Sequence, residues 1–414
     1  MAVGDARPPG LERRTLGSLT EGEVNGRRAL VRVDYNVPLE EVDGDRRIAS
    51  DVRIRATLPT LRELTARSAV VVLASHLGRP KGKPDPALSL RPVAERLGEL
   101  LERPVAFLAA PFDRRSLKLV LNAQSGETFL LENLRFEAGE TANDPEFAQR
   151  LAAFGELFVQ DAFGTCHRAH ASTVGVTDHL DPCVAGRLVE RELAALSRVL
   201  DPEPPFVAIM GGAKVAGKVE TVRGIAERAE RVFLAGGMAN TFLLARGLPV
   251  GDSLAERELR GEAERLMAEF GDRIVLPADV IVAREITSDA EMRTVAVDQV
   301  EPGWRILDVG PRTVDAIEKE LGWARTVFWN GPLGVFETPP FDAGTRVVAE
   351  LMASVTDRGA YTVVGGGDSA AAIEEAGLAD RVSHVSTGGG AALELVSGVT
   401  LPGIAALDPP SEGM

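Results

Sequence analysis

A short β-branched apolar run, then a turn, then a longer amphipathic stretch recurs many times along this chain, and that alternation is the mark of parallel sheet with crossover helices. In the first half the runs predict strands near Ala29–Val33, Ala69–Ala74, Pro104–Leu108, Thr128–Leu131 and Leu157–Gln160. The stretches between them predict helices near Asp51–Arg67, Ser89–Glu102 and Asp144–Phe154, the last supported by Pro145, whose missing N–H is harmless at a first helical position. Leu188–Leu200 sets Val189, Leu193, Leu196 and Leu200 on one helical face, and the Asp201-Pro202-Glu203-Pro204-Pro205 run ends it, so it reads as a connector. A second series follows, with strands near Phe206–Met210, Arg231–Ala235, Arg305–Leu307, Thr326–Trp329, Tyr361–Val364 and Val382–Val385. The expected fold is α/β: two doubly wound parallel-sheet, Rossmann-like domains joined by a helix and hinge.

At 414 residues the chain is longer than one hydrophobic core usually serves. The expected division is 1–187, then 188–400 beginning with the connector helix, then a tail over 401–414 for which a return to the first domain is one course. A formal net charge of -15 argues against general nucleic-acid binding, which draws its affinity from a surplus of lysine and arginine. The N-terminus has no apolar signal core and no later run is long enough to span a bilayer, so the chain reads as soluble, unexported and without a membrane partner. Cys166 and Cys183 share no C-x-x-C spacing, which argues against a disulfide framework or zinc site and suits a reducing cytoplasm.

In open parallel sheets ligands bind beyond the carboxyl ends of the strands, so polar residues just after the apolar runs carry the chemistry. In the first half these are Asp34 and Asn36, Ser75, His76 and Arg79, Arg135, then Asp161, His167, Arg168 and His170, with Arg53 opening the first helix. Any one alone reads as a cap, a surface ion pair or a satisfied histidine. Together they suggest convergence on a small, multiply charged anion, because arginine offers a fixed fork of donors to carboxylate and phosphate.

The second half relies on glycine. Phe206–Met210 leads into Gly211-Gly212-Ala213-Lys214-Val215-Ala216-Gly217-Lys218, and later runs lead into Asn330-Gly331-Pro332, Gly365-Gly366-Gly367-Asp368-Ser369 and Ser386-Thr387-Gly388-Gly389-Gly390. Glycine turns that open helices offer bare N–H groups to a phosphate chain. Two motif matches fail on inspection. Gly212-x-x-x-x-Gly217-Lys218 has Val219 where a P-loop needs a hydroxyl for Mg²⁺, and Gly365-x-Gly367-x-x-Ala370 lacks the acid that a dinucleotide fingerprint places on the ribose.

Taken in order, Arg32-Val33-Asp34-Tyr35-Asn36-Val37-Pro38, Ser75-His76-Leu77-Gly78-Arg79-Pro80, Leu131-Glu132-Asn133-Leu134-Arg135-Phe136, Asp161 to His170, Gly211–Lys218, Trp329-Asn330-Gly331-Pro332, Gly365–Ser369 and Ser386–Gly390 closely resemble the successive signatures of phosphoglycerate kinase. The resemblance spans nearly the whole chain. It implies glycolytic and gluconeogenic phosphoryl transfer between 1,3-bisphosphoglycerate and ADP, giving 3-phosphoglycerate and ATP, by an in-line route with domain closure in a monomer. It also implies that 1–187 is the triose domain, binding through Asp34, Asn36, Arg53, His76, Arg79, Arg135 and Arg168. The nucleotide side falls on Lys214, Lys218, Glu337 and Gly366, Gly367, Asp368 and Ser369, with Asp368 at the Mg²⁺ position. Gly217 departs from the family, standing where aspartate is usual.

Both nucleophiles of such a reaction are anionic at neutral pH, so no general base is required and the site should be rich in cations and oriented N–H groups. Arg53 and Lys214 are expected to stabilise the transferring phosphoryl group, and His76 and His170 to bind anions or donate hydrogen bonds. A P-loop ATPase and a non-catalytic nucleotide-binding protein are the competing readings; both leave the Arg and His cluster of the first half without a role.

Overall fold

The structure, a computed structural model, describes residues 11–42 and 45–410. It divides into two compact units, one running to Ala194 and resuming at Thr400, the other Ala195–Val399.

The first unit is built on a parallel sheet of β1 (Arg28–Val33), β2 (Val70–Ala74), β3 (Ala106–Leu108), β4 (Thr128–Leu131), β5 (Leu157–Asp161) and β6 (Cys183–Ala185), in the spatial order β3-β4-β2-β1-β5-β6. The central strands are mostly apolar and buried at every position except Arg28, as strands covered on both faces must be. Val31, Val33, Leu61, Leu73, Leu97 and Val159 belong to its core. The helix Pro145–Ala152 starts as predicted, with Pro145 in its first turn and the Asp144 carboxylate accepting from Phe147 N at 2.8 Å. Residues after Thr400 add to this unit: Gly403 N donates to Cys166 O and Asp408 N to Cys183 O, each at 2.9 Å.

The second unit repeats the architecture with β7 (Phe206–Met210), β8 (Arg231–Leu234), β9 (Ile274–Val275), β10 (Thr326–Asn330), β11 (Tyr361–Gly365) and β12 (His384–Val385), ordered β9-β8-β7-β10-β11-β12. Counted from its own first strand this is 3-2-1-4-5-6, with the topological switch between β7 and β10. One predicted strand belongs elsewhere. Arg305–Val309 pairs antiparallel with Asp279–Ala283, which also pairs with Met292–Ala296, in a separate three-stranded sheet packed around Val280, Val282, Val300 and Trp304. Its apolar run looks like a parallel strand because periodicity does not report strand direction.

The connecting helix, Arg187–Leu200, buries Val189, Leu193 and Leu196 and ends just before Asp201. Its first turn is held by Asp161 at the end of β5, which accepts from Leu188 N at 2.9 Å. Asp161 is fully buried, and that burial pushes its carboxyl up to about 7.

Candidate active site

In the first unit the carboxyl ends of β1, β2, β4 and β5 deliver a cationic cluster around one imidazole. His76, 4% exposed, stands after β2 with Nδ1 at 3.1 Å from Arg32 Nη2. A guanidinium only donates, so Nδ1 is the acceptor and the ring proton sits on Nε2. Burial, then the nearby charges of Arg32, Arg135, Arg168 and Arg53, holds His76 well below the ordinary histidine range. It is a neutral donor at physiological pH, not a base or a cation.

Asp34 organises the rim. Its Oδ2 accepts from Arg53 Nη1 at 2.7 Å, its Oδ1 from Asn36 N at 3.2 Å, and Oδ1 lies 3.8 Å from His76 Nδ1. Asn36 Oδ1 in turn accepts from Gly78 N at 2.9 Å. Arg135 is buried, donates through Nη1 to Gly78 O at 2.7 Å, and leaves Nε without a partner among the described residues. Burial and the neighbouring Arg32 and Arg168 bring its pKa down to about 10. Arg168 is half-buried and donates to His167 Nε2 at 3.0 Å. Arg79 lies apart from this lattice, exposed beside Gly78, and makes no hydrogen bond or ion pair among the described residues.

Two residues that sequence reasoning did not select hold the cluster together. Arg32 lies inside β1, 1% exposed, and donates to Ser172 Oγ at 2.8 Å and to the Val33 carbonyl. Ser172 Oγ donates to Glu140 Oε1 at 2.6 Å, and Glu140 is completely buried. An arginine inside an otherwise apolar central strand was the available signal, since charged groups are rarely buried without a partner. Glu140 gave none, because an acid on a short helix reads as surface. His170 is 3.8 Å from Glu140 and is pushed down to about 4, chiefly by burial and then by Arg135, Arg32 and Arg168. With the histidines neutral, Arg32, Arg53, Arg135 and Arg168 outnumber Asp34 and Glu140, leaving a surplus of positive charge suited to an anion. Cys166, beside this cluster, is fully buried and its thiol is pushed up by that burial, so it is inert.

The second unit works with backbone. Gly211 N donates to Asn330 O at 2.8 Å and Gly212 N to Pro332 O at 3.0 Å, drawing together the turns after β7 and β10 at the switch point. A Cβ on Gly211 would strike the Pro332 carbonyl. The adjoining cavity, about 640 Å³, is lined by Gly237, Leu254, Leu307, Val335, Glu337 and Asp368 among others. Apolar walls with a few polar groups are what a heterocyclic base and its ribose need. Glu337 and Asp368 thus face one cavity, while Lys214, Gly366, Gly367 and Ser369 are not in its walls. Lys218 is linked to that region: Asp368 raises its pKa against the larger lowering by burial, and a Cβ on Gly212 would sit 3.3 Å from its Nζ. Lys214 is exposed on the loop before the helix Val219–Ala226, and the Glu256 carboxylate accepts from Val215 N and, at 2.9 Å, from Ala216 N.

Gly366, at φ +88, caps the helix Gly367–Glu375, and a Cβ there would come 2.9 Å from Asn330 Nδ2. Ser369 is buried and its hydroxyl accepts from Gly331 N at 2.5 Å, so one of its lone pairs supports the β10 turn. Asn330 is the residue missed here: it is 2% exposed and its Nδ2 donates to nothing among the described residues. Asp368 lies exposed in the first turn of its helix, and its carboxylate makes no hydrogen bond or ion pair among the described residues. No group of three or more His, Cys, Asp or Glu among the described residues could hold a metal by itself. A lone exposed carboxylate fits Mg²⁺, which keeps waters and takes one or two carboxylates with phosphate oxygens, and does not fit zinc.

The family profile of phosphoglycerate kinase matches residues 19–399. The chain belongs to the phosphoglycerate kinase family. It is similar to the phosphoglycerate kinase of Synechococcus elongatus, 49% identical over 402 residues, covering 96% of this chain and 99% of that one. That of Chloroflexus aurantiacus is 52% identical over 388 residues, covering 92% and 96%. Among solved structures, phosphoglycerate kinase from Coxiella burnetii superposes with a TM-score of 0.83 at 39% identity, covering 95% of this chain and 98% of that one. The enzyme from Pyrococcus horikoshii gives 0.80 at 32% identity with the same coverage. The chain is therefore a phosphotransferase of glycolysis, moving a phosphoryl group reversibly between 1,3-bisphosphoglycerate and ADP to give 3-phosphoglycerate and ATP. Neither a P-loop ATPase nor a non-catalytic nucleotide binder is favoured.

Proposed function

We propose a division of labour between the two units. Asp34, Asn36, Arg53, His76, Arg79, Arg135 and Arg168 hold the triose, in a domain ending near residue 187, and Lys214, Lys218, Glu337, Gly366, Gly367, Asp368 and Ser369 hold the nucleotide, in a domain over 188–400. The observation that carries this reading is the buried His76 set against Arg32 amid an arginine cluster in one unit, with Glu337 and Asp368 facing a single cavity in the other.

In the direction of ATP synthesis an ADP β-phosphate oxygen attacks the acyl phosphate, a phosphorus–oxygen bond forms, and the bond to the carboxylate oxygen breaks. The attacking oxygen and the leaving carboxylate are both anions, so no proton moves. Arg53 and Lys214 offset the charge that gathers on the phosphoryl oxygens in the transition state. Arg135 and Arg168 fix the triose, and His76 Nε2–H donates without adding charge. Glu337 accepts from ribose hydroxyls. Asp368 would hold Mg²⁺, which supplies charge neutralisation to the phosphates when bound.

Triose and nucleotide ligands on separate units must meet around one phosphoryl group with water excluded, so the domains close about the helix Arg187–Leu200 and its flanks. The protein acts as a cytoplasmic monomer without nucleic-acid or membrane partners. The net charge of -15 supports the lack of a nucleic-acid partner and the two buried thiols suit a reducing compartment. Small-angle scattering of the apo, 3-phosphoglycerate, Mg-nucleotide and ternary states tests closure. The largest contraction is expected in the ternary state; an unchanged radius of gyration across all four, in active enzyme, would sink it.

A further inference from the structure

Beyond the carboxyl ends of β3 and β4, a cleft of about 710 Å³ opens between walls that include Pro84, Pro86, Pro111, Phe112 and Phe136. None of the residues proposed above for the triose lines it. Its volume is that of a small-molecule site. Asn133 forms part of the wall and is fully engaged. Its Oδ1 accepts from Leu77 N and Arg135 N, and its Nδ2 donates to Leu77 O at 2.7 Å and Leu88 O at 3.0 Å.

The charged residues of the cleft divide by sign. Asp85 accepts from Ala87 N at 2.9 Å and Asp113 from Ser116 N at 2.6 Å. Glu132 takes Leu90 N and Asn133 N on one oxygen and the Ser89 hydroxyl on the other. Glu137 lies 4.0 Å from Arg150, whose guanidinium covers the Phe112 ring. Every acid is therefore engaged locally, whereas the two arginines of the lining keep open donors. Arg91 is exposed, its guanidinium lies 4.8 Å over the Phe107 ring, and among the described residues that guanidinium makes no hydrogen bond or ion pair. Among the described residues the Arg46 side chain uses only Nη1, on Ala87 O at 2.7 Å.

We propose that this cleft is a second ligand site, distinct from those for triose and nucleotide, that takes an aromatic acid carrying a single negative charge. The flat ring lies between the proline and phenylalanine walls, where it loses water against apolar surface. Its acid group takes the forks of Arg46 and Arg91. The four carboxylates around the rim disfavour a polyphosphate, so the site selects against nucleotides.

The full-length enzyme, saturated with Mg-ADP and 3-phosphoglycerate to fill the established sites, is titrated with 1-anilinonaphthalene-8-sulfonate and followed by fluorescence. One saturable site should remain. Arg46→Ala and Arg91→Ala should each weaken it about fivefold or more while leaving kcat for phosphoryl transfer unchanged, which also shows that the variants fold. N-phenyl-1-naphthylamine, with the same rings but no sulfonate, should bind correspondingly more weakly. Loss of the signal on adding Mg-ADP, indifference to both arginine substitutions, or equal affinity for the uncharged probe would each overturn the proposal.

Discussion

In the first unit the candidate ligand surface is made largely of long cationic side chains, most of them, unlike Arg79, pinned by another side chain or a carbonyl: Arg32 by Ser172, Arg53 by Asp34, Arg135 by Gly78 O. In the second it is made of strand-end backbone, where Gly211 and Gly366 lie so close to their neighbours that a Cβ would not fit, and the Lys214 side chain is exposed and makes no ion pair among the described residues. The first surface is charged and ordered by its own network, which on the proposed division of labour serves a compact anion. The second supplies a shaped cavity, strand-end N–H groups and an exposed lysine, which on the proposed division of labour serve a longer, phosphate-bearing ligand. The contrast sets side by side two physical solutions to anion recognition, fixed charge and oriented backbone dipoles, which the proposed division of labour assigns to two partners of the same reaction.

The contrast fails first, and most visibly, in catalysis. Arg53→Ala from the side-chain surface and Lys214→Ala from the backbone surface should each lower kcat by about 10²–10³ while changing nucleotide affinity far less, because the charge they meet develops in the transition state. Steady-state kinetics on folded variants check it; full activity in either would remove that residue from its role.

A smaller effect distinguishes the glycine-rich surface from a P-loop. Asp368→Ala should weaken Mg²⁺-dependent ADP binding at least by the roughly tenfold that loss of even a supporting ligand contact costs. Val219→Ser, which would complete the false P-loop pattern, should gain little. Calorimetric titration of Mg-ADP into both variants decides between them, and a clear gain from Val219→Ser would reverse the reading of that loop.

Protonation supplies the gentlest comparison. In the first unit His170 is held down to about 4, so below the ordinary 6.5 the unfolded chain binds a proton that the native one does not, and stability from this group is lost as pH falls from about 6.5 toward 4. In the second, burial raises Asp308 to about 7, although its oxygens accept from Val309 N and Gly344 N, each at 2.8 Å. The native state then binds the extra proton, and stability from this group is lost as pH rises from about 4 through 7. Relative to the parent, Asp308→Asn should gain stability between pH 5 and pH 8 by about 2–3 kcal/mol. His170→Asn should show the reverse trend, its advantage fading as pH rises from 5 to 7. Urea unfolding at each pH reads both, and parallel curves would show that these burials do not govern ionisation.

Most of this fold was legible because buried parallel strands are short apolar runs between helices of clear periodicity, as at Val70–Ala74 and Phe206–Met210. The antiparallel sheet around Asp279–Ala283 was not, since nothing in Arg305–Val309 marks its direction or partner. At the site, residues displayed on strand-end turns, such as Asp34, His76 and Arg135, could be selected by position alone. Arg32, Glu140 and Asn330 could not, because what distinguishes them is burial and pairing across the sheet: a serine 140 residues away for Arg32, and an unmatched amide for Asn330.

Titration of 3-phosphoglycerate and of Mg-ADP separately into Arg135→Ala and Gly366→Ala, by calorimetry, tests the division of labour most directly. Arg135→Ala should lose about tenfold or more in triose affinity and keep its nucleotide affinity. Gly366→Ala, forcing a side chain into the left-handed region against Asn330, should do the opposite. Loss of both ligands in either folded variant, or loss of the wrong one, would contradict it.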